Sequence, residues 1–154
     1  MTLEVKGNAN YAAVVISYNK ANETPLEGRD RVVGYREFGY QTIVSKDSFQ
    51  DGDLVVLFVA GTQITPLQAA YANLYRHERL NLDPTAKGYL DDSGRVKAIK
   101  FAGHRSDALI LPLVAIWNES VPWSEFKPGV AFDHVDGAEI SRKYVLPVKG
   151  ANLS

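Results

Sequence analysis

The segment Leu54-Val55-Val56-Leu57-Phe58-Val59 most narrows what this chain can fold into. Six apolar residues stand directly behind the turn signal Asp51-Gly52-Asp53. A run so short, bounded by glycine and rich in valine, reads as a strand buried in a sheet. Residues 14–18 and 40–45 are further strand candidates, rich in β-branched and aromatic side chains. Residues 95–101 follow the turn Asp91-Asp92-Ser93-Gly94 and read as another. Leu109-Ile110-Leu111 is closed by Pro112, which lacks a ladder donor and belongs at a strand end or sheet edge; 113–117 continues it.

One helix stands against this β background. Thr65 suits an N-cap, Pro66 the first helical position, and Gln68 has capping-box spacing from Thr65. Leu67, Ala70, Tyr71 and Leu74 recur at helical spacing, so a helix is predicted over about 66–80, ending before Asp83-Pro84. The fold class is therefore mainly β, a small β-barrel with one α-helix.

The 154 residues suit one domain large enough to build its own core. Residues 1–147 are read as that domain and 148–154 as a tail or linker stub. With 45% hydrophobic and 23% charged residues, a disordered tail or a coiled coil is excluded. No cysteine is present, so disulfides, thiol catalysis and cysteine zinc sites are excluded as well. No apolar run approaches the ~20 residues of a membrane span. The N-terminus lacks a signal-peptide core, and the expected location is cytoplasmic.

Catalytic motifs are missing from the sequence. It has no Gly-x-Ser-x-Gly elbow and no phosphate loop of the Walker type. His77, His104 and His134 lie far apart, without metal-ligand spacing. Asp133-His134-Val135-Asp136 reads as a turn whose carboxylates cap backbone N–H groups.

Charge is more informative. The net charge is −1, which excludes a strongly basic nucleic-acid sponge but not a local basic face. Lys87, Arg95, Lys97, Lys100 and Arg105, against Asp91 and Asp92, give residues 87–105 a surplus of +3. Residues 118–139 run the other way, with five carboxylates against Lys127. The basic stretch reads either as a charged edge strand or as a groove that tracks phosphates. Tyr35, Phe38 and Tyr40 are candidate stacking platforms for the second reading.

Four segments, in order, resemble one family: the N-terminal OB-fold module of nick-sealing RNA ligases, in which an OB domain precedes a nucleotidyltransferase domain. The first is Pro25-Leu26-Glu27-Gly28-Arg29-Asp30-Arg31-Val32. The second is Gly39-Tyr40-Gln41-Thr42-Ile43-Val44-Ser45-Lys46, followed by Phe49 and Gly52-Asp53. The third is Arg95-Val96-Lys97-Ala98-Ile99-Lys100-Phe101, with Ser106 and Leu109-Ile110-Leu111-Pro112-Leu113. The weaker fourth is Gly137-Ala138-Glu139-Ile140 leading to Lys143-Tyr144. Where the family has Ser-Gln-Gly, this chain has Ser106-Asp107-Ala108. The family's nucleophilic Lys-x-Asp-Gly has no counterpart; the nearest string, His134-Val135-Asp136-Gly137, carries His in place of the lysine.

The resemblance implies an OB-fold-like domain that holds RNA, or a nicked RNA/DNA duplex, for a nucleotidyltransferase domain. This chain itself would bind no cofactor, since ATP and Mg belong to that other domain. The expected binding residues, taken as exposed basic and aromatic positions, are Lys46, Arg95, Lys97, Lys100, His104 and Arg105, with Tyr35 and Phe38. The alternative is a protein–protein module that docks a catalytic subunit through Trp117, Val121, Pro122, Trp123 and Phe126. A self-contained enzyme is the least supported reading.

Overall fold

A computed structural model describes residues 2–101 and 103–147. The expected tail, 148–154, lies outside the described residues. In chain order the strands are β1 (Leu3–Glu4), β2 (Ala13–Ser17), β3 (Glu23–Leu26), β4 (Arg29–Glu37), β5 (Tyr40–Ser45), β6 (Leu54–Val59) and β7 (Thr62–Ile64). After helix α1 (Pro66–Tyr71) come β8 (Ile99–Phe101), β9 (His104–Ser106), β10 (Ala108–Pro112), β11 (Ala131–Phe132), β12 (His134–Val135), β13 (Ala138–Glu139) and β14 (Ser141–Lys143). No helix among them is long and apolar enough to cross a membrane.

The centre is an antiparallel sheet in the order β10-β6-β2-β11. Its side chains alternate between two clusters. Val15, Val56, Phe58 and Leu111 join the larger core with Phe126, Phe132 and Ile140. Ile16, Val55, Leu57 and Ile110 face the other way, against Tyr18 and Tyr35. Both faces of β6 are covered, so both must be apolar, and this accounts for the unbroken run. β10 ends at Pro112 on the sheet edge, as expected. The following Leu113–Ala115 is a 3₁₀ turn rather than more strand.

The second cluster is roofed by a ribbon in the order β3-β4-β5, which supplies Tyr35 and Val44. The β8–β9 hairpin lies beside β5. Smaller sheets, β1-β12-β13 and β14-β7, complete the chain.

Three further expectations are corrected. The sheets are open and do not close into a barrel. Between β9 and β10 the Asp107 carboxylate, rather than another strand residue, receives the Gln41 N–H at 2.7 Å. The helix ends at Tyr71 rather than near Leu80. Asn73 turns left-handed there (φ 57°), which stops a helix. The chain then enters the core at Leu74 and Tyr75, and Tyr75 bridges to Leu90. The Asn81 side chain pins both backbone groups of Tyr75, at 2.9 Å each. A Cβ at Gly88 would overlap the Leu74 carbonyl, so this close approach requires glycine. Finally, only Ile99–Phe101 of the 95–101 stretch is strand. Arg95 makes a single bridge to Gln63, and Val96 is buried.

Candidate nucleic-acid interface

The basic residues expected from 87–105 do not form one patch. Lys97 Nζ lies 2.6 Å from Asp91 Oδ2. Asp91 also accepts from Ser93, and its carboxyl is held down to about 2, by Lys97 first and Ser93 second. Arg95 stacks over Tyr144, 4.9 Å from the ring centroid, beside a cavity of about 390 Å³ shared with Tyr11 and Lys143. Lys87 pairs with Glu78 at 3.5 Å. Arg95, Lys97 and Lys87 therefore each have a local partner.

Lys100, His104 and Arg105 do come together on the β8–β9 hairpin. Lys100 stands directly across from Arg105, and Phe101 across from His104. Cross-strand partners share a face, so two cations point one way while a ring and an imidazole point the other. Arg105 Nε is 3.3 Å from Asp107 Oδ2, and its guanidinium reaches the Gly39 carbonyl at 3.4 Å. Gln41 ties this hairpin to the ribbon. Its side-chain amide donates to the Arg105 carbonyl at 2.7 Å and accepts from Arg36 Nε at 3.0 Å.

Phe38 is 61% exposed at the tip of the β4–β5 hairpin, next to the carbonyl that Arg105 touches. Phe38 and Gly39 have φ of 53° and 80° between the paired residues Glu37 and Tyr40. A two-residue turn with both φ positive favours Asn-Gly, and a bulky residue at its first position is strained. Tyr40 lies at the same end and is partly exposed.

Tyr35 is not a platform. It is fully buried and stacks on Tyr18 at 4.2 Å. Its hydroxyl accepts from Asn19 N at 3.1 Å and donates to Glu37 at 2.9 Å. Burial pushes its pKa up. Lys46 is exposed at the far end of β5, and its N–H donates to the Arg31 carbonyl.

Residues outside the expected set complete the picture: Arg29, Arg31 and Arg36 on β4. The alternation Arg29-Asp30-Arg31 was the available signal, since two arginines flank a single carboxylate. Over 29–37, 40–46, 99–101 and 104–106 there are six Lys/Arg against Asp30 and Glu37. That is a surplus of four positive charges in a chain whose total is −1. Ion pairs among the described residues engage Lys6, Lys20, Lys87, Lys97, Arg105 and Arg142. Arg29, Arg31, Lys46 and Lys100 are in none of them.

Of the 133–136 reading, the carboxylates do cap backbone N–H groups, but His134–Val135 is strand β12 and the turn lies at Asp136-Gly137. Asp133, almost fully buried, accepts from Lys6 N, Gly7 N and His134 Nδ1 at 2.7–2.9 Å. Burial pushes its carboxyl up, but His134 and the two N–H groups outweigh it and hold the pKa low. Asp136 accepts from Ser120. Among the described residues no group of three His, Asp or Glu side chains is placed to hold a metal ion. Of the aromatic cluster at 117–126, Val121 and Phe126 belong to the core and Trp117 packs on it. Trp123, 46% exposed, covers Phe126 at 5.2 Å.

No protein-family profile matches the chain, and no curated protein does. Two solved structures of Naegleria gruberi RNA ligase, both point mutants with ATP and Mn, are similar in fold. One has a TM-score of 0.58 at 16% identity, covering 92% of this chain and 37% of that one. The other has 0.52 at 17% identity, covering 89% and 36%. The chain has an RNA-ligase-related fold. It spans well under half the length of the ligases it matches.

Proposed function

We propose that this chain is a nucleic-acid-holding module that positions an RNA-containing strand, as at a nick, for a separate adenylyltransferase domain. The observation that carries the reading is the ribbon of β4, β5, β8 and β9, with its surplus of four positive charges and a strained, exposed Phe38 at one end. Cations that track phosphates, beside an aromatic on which any base can stack, are what sequence-tolerant single-strand binding needs. The fold likeness to RNA ligases and the ordered resemblance of four segments support the same reading. ATP and Mg are then requirements of the separate domain. The sequence of this chain holds no Lys-x-Asp-Gly to supply the nucleophilic lysine.

A fluorescence-anisotropy titration tests the proposal. The probes are a nicked duplex with RNA on the 3′-hydroxyl side, an all-DNA nick and single-stranded RNA, each at two salt concentrations. Salt-sensitive binding, tightest on the RNA-containing nick, is expected. Absence of binding to all three at low salt would overturn the reading.

A further inference from the structure

The start of β4 and the end of β8 border a concavity of about 300 Å³. Gly28, Arg29, Asp30, Arg31, Val32 and Phe101 line it. The tight turn at Glu27-Gly28, with Gly28 at φ 76°, brings Arg29 back beside Leu26 and starts β4 there. The Arg29 guanidinium carbon sits 5.3 Å above the Phe101 ring centroid. Phe101 still keeps 40% of its surface exposed. Arg29 and Arg31 both line the concavity, and neither has a carboxylate partner among the ion pairs of the described residues.

An unpaired guanidinium held against a ring is fixed in orientation and keeps one planar face for a further π-system. Arginine planes and aromatic rings are the surfaces on which unpaired bases stack. A second arginine lining the same concavity, Arg31, supplies donors for an anion beside that base. The volume lies at the small end of ligand sites, suited to one nucleotide rather than a folded partner.

We propose that this concavity is a mononucleotide subsite on the path of a bound strand, with one base stacked on the Arg29–Phe101 pair and its phosphate held by Arg31. The inference rests on the nucleic-acid reading above and names where one unpaired nucleotide of that strand goes.

The test uses the full chain and a duplex carrying a short single-stranded RNA tail, whose junction fixes the register. Tail nucleotides are made abasic one at a time, and affinity is read by anisotropy. With the natural chain, one abasic position is expected to weaken binding about tenfold, the effect of one lost stacked base. In Phe101→Ala and Arg29→Lys that position no longer matters, whereas Phe101→Trp retains the discrimination. Arg31→Ala lowers the slope of log affinity against log salt by about 0.7, one single-strand phosphate. Unchanged abasic discrimination in Phe101→Ala and Arg29→Lys, with the tail still bound by the natural chain, would overturn the subsite and leave the module reading standing. Failure of the natural chain to bind any nucleic acid would overturn both.

Discussion

Gln41 and Asp107 hold each other through two hydrogen bonds. The Gln41 N–H donates to Asp107 Oδ1 at 2.7 Å, and the Asp107 N–H donates to the Gln41 carbonyl at 2.8 Å. This pair joins the ribbon to the central sheet at the point where β9 passes into β10. The same carboxylate takes Arg105 Nε on its other oxygen. Asp107→Asn keeps an oxygen acceptor for Gln41 and releases Arg105, whereas Asp107→Ala leaves the Gln41 N–H without a partner. Asp107→Ala is therefore expected to lose about 1–3 kcal/mol in urea unfolding. Asp107→Asn should lose less than half as much and bind RNA more tightly at low salt. Weaker RNA binding by a stable Asp107→Asn protein would contradict this account of the joint.

Phe38 gives a prediction in which stability and binding move in opposite directions. Asparagine tolerates φ 53° far better than phenylalanine, and Asn-Gly is the preferred pair for this turn. Phe38→Asn should therefore raise stability by about 1 kcal/mol, the scale of left-handed strain relieved. The same change removes an exposed ring and should weaken RNA binding roughly fivefold or more, within the range of one lost stacking contact. Thermal unfolding and anisotropy on one preparation check both signs. Loss of stability, or unchanged affinity, would remove Phe38 from the interface.

The cations without ion-pair partners should dominate the salt dependence. Lys97 has a carboxylate 2.6 Å away, while Lys100 has none among the ion pairs of the described residues. Replacing Arg31 and Lys100 together by alanine is expected to reduce the slope of log affinity against log salt by about 1.4 for a single strand. Lys97→Ala should change affinity less than twofold. A series of titrations from low to moderate salt separates the two cases, and a larger effect from Lys97 would reverse the assignment.

Lys97 should instead reveal itself in the pH dependence of stability. Its ammonium is the leading cause that lowers the Asp91 carboxyl to about 2. A carboxylate with a lowered folded pKa stabilises fully above the ordinary range near ~4, and that stabilisation is lost as pH falls toward the lowered value. Both side chains are more than a third exposed, so the contribution is under ~1 kcal/mol. Lys97→Ala should accordingly be slightly less stable than the natural chain at pH 6, with the gap closing by about pH 2. Urea midpoints at several pH values read this directly. A gap that persists unchanged at pH 2 would mean that Lys97 acts through packing rather than charge.

What the sequence revealed follows physical range. The β6 run was legible because both its faces meet core, so six apolar letters in a row have a single explanation. Pro112 was legible because a missing N–H acts locally. The basic patch was not, because linear clustering cannot show that Asp91 and Asp107 each take a cation or that β4 brings Arg29 and Arg31 beside Phe101. Tyr35 was misplaced for a related reason. Alternation along β4 separates two faces, but nothing local says which of them meets Tyr18.

Gln68 is the case in which a correct local pattern hid a long-range role. Its spacing from Thr65 reads as a capping box, yet Thr65 makes no side-chain cap and instead donates to the Glu139 carbonyl at 2.7 Å. The Gln68 side chain is fully buried, donating to the Ala115 carbonyl at 2.8 Å and accepting from the Trp117 N–H at 2.7 Å. It thus satisfies both backbone groups around Ile116 where the chain leaves the Leu113–Ala115 turn. Gln68→Leu fills nearly the same volume but leaves that carbonyl and N–H buried and unpaired. The expected loss is about 2–4 kcal/mol, two unmet backbone groups rather than a lost helix cap. Gln68→Glu retains the acceptor for Trp117 but sets a charge against the Ala115 carbonyl, and should be at least as damaging near neutral pH. A helix-capping role would instead make Gln68→Glu harmless or stabilising, because acidic residues favour helix N-termini. Unfolding free energies of the two variants, measured at pH 7, therefore decide between the local role and the long-range one.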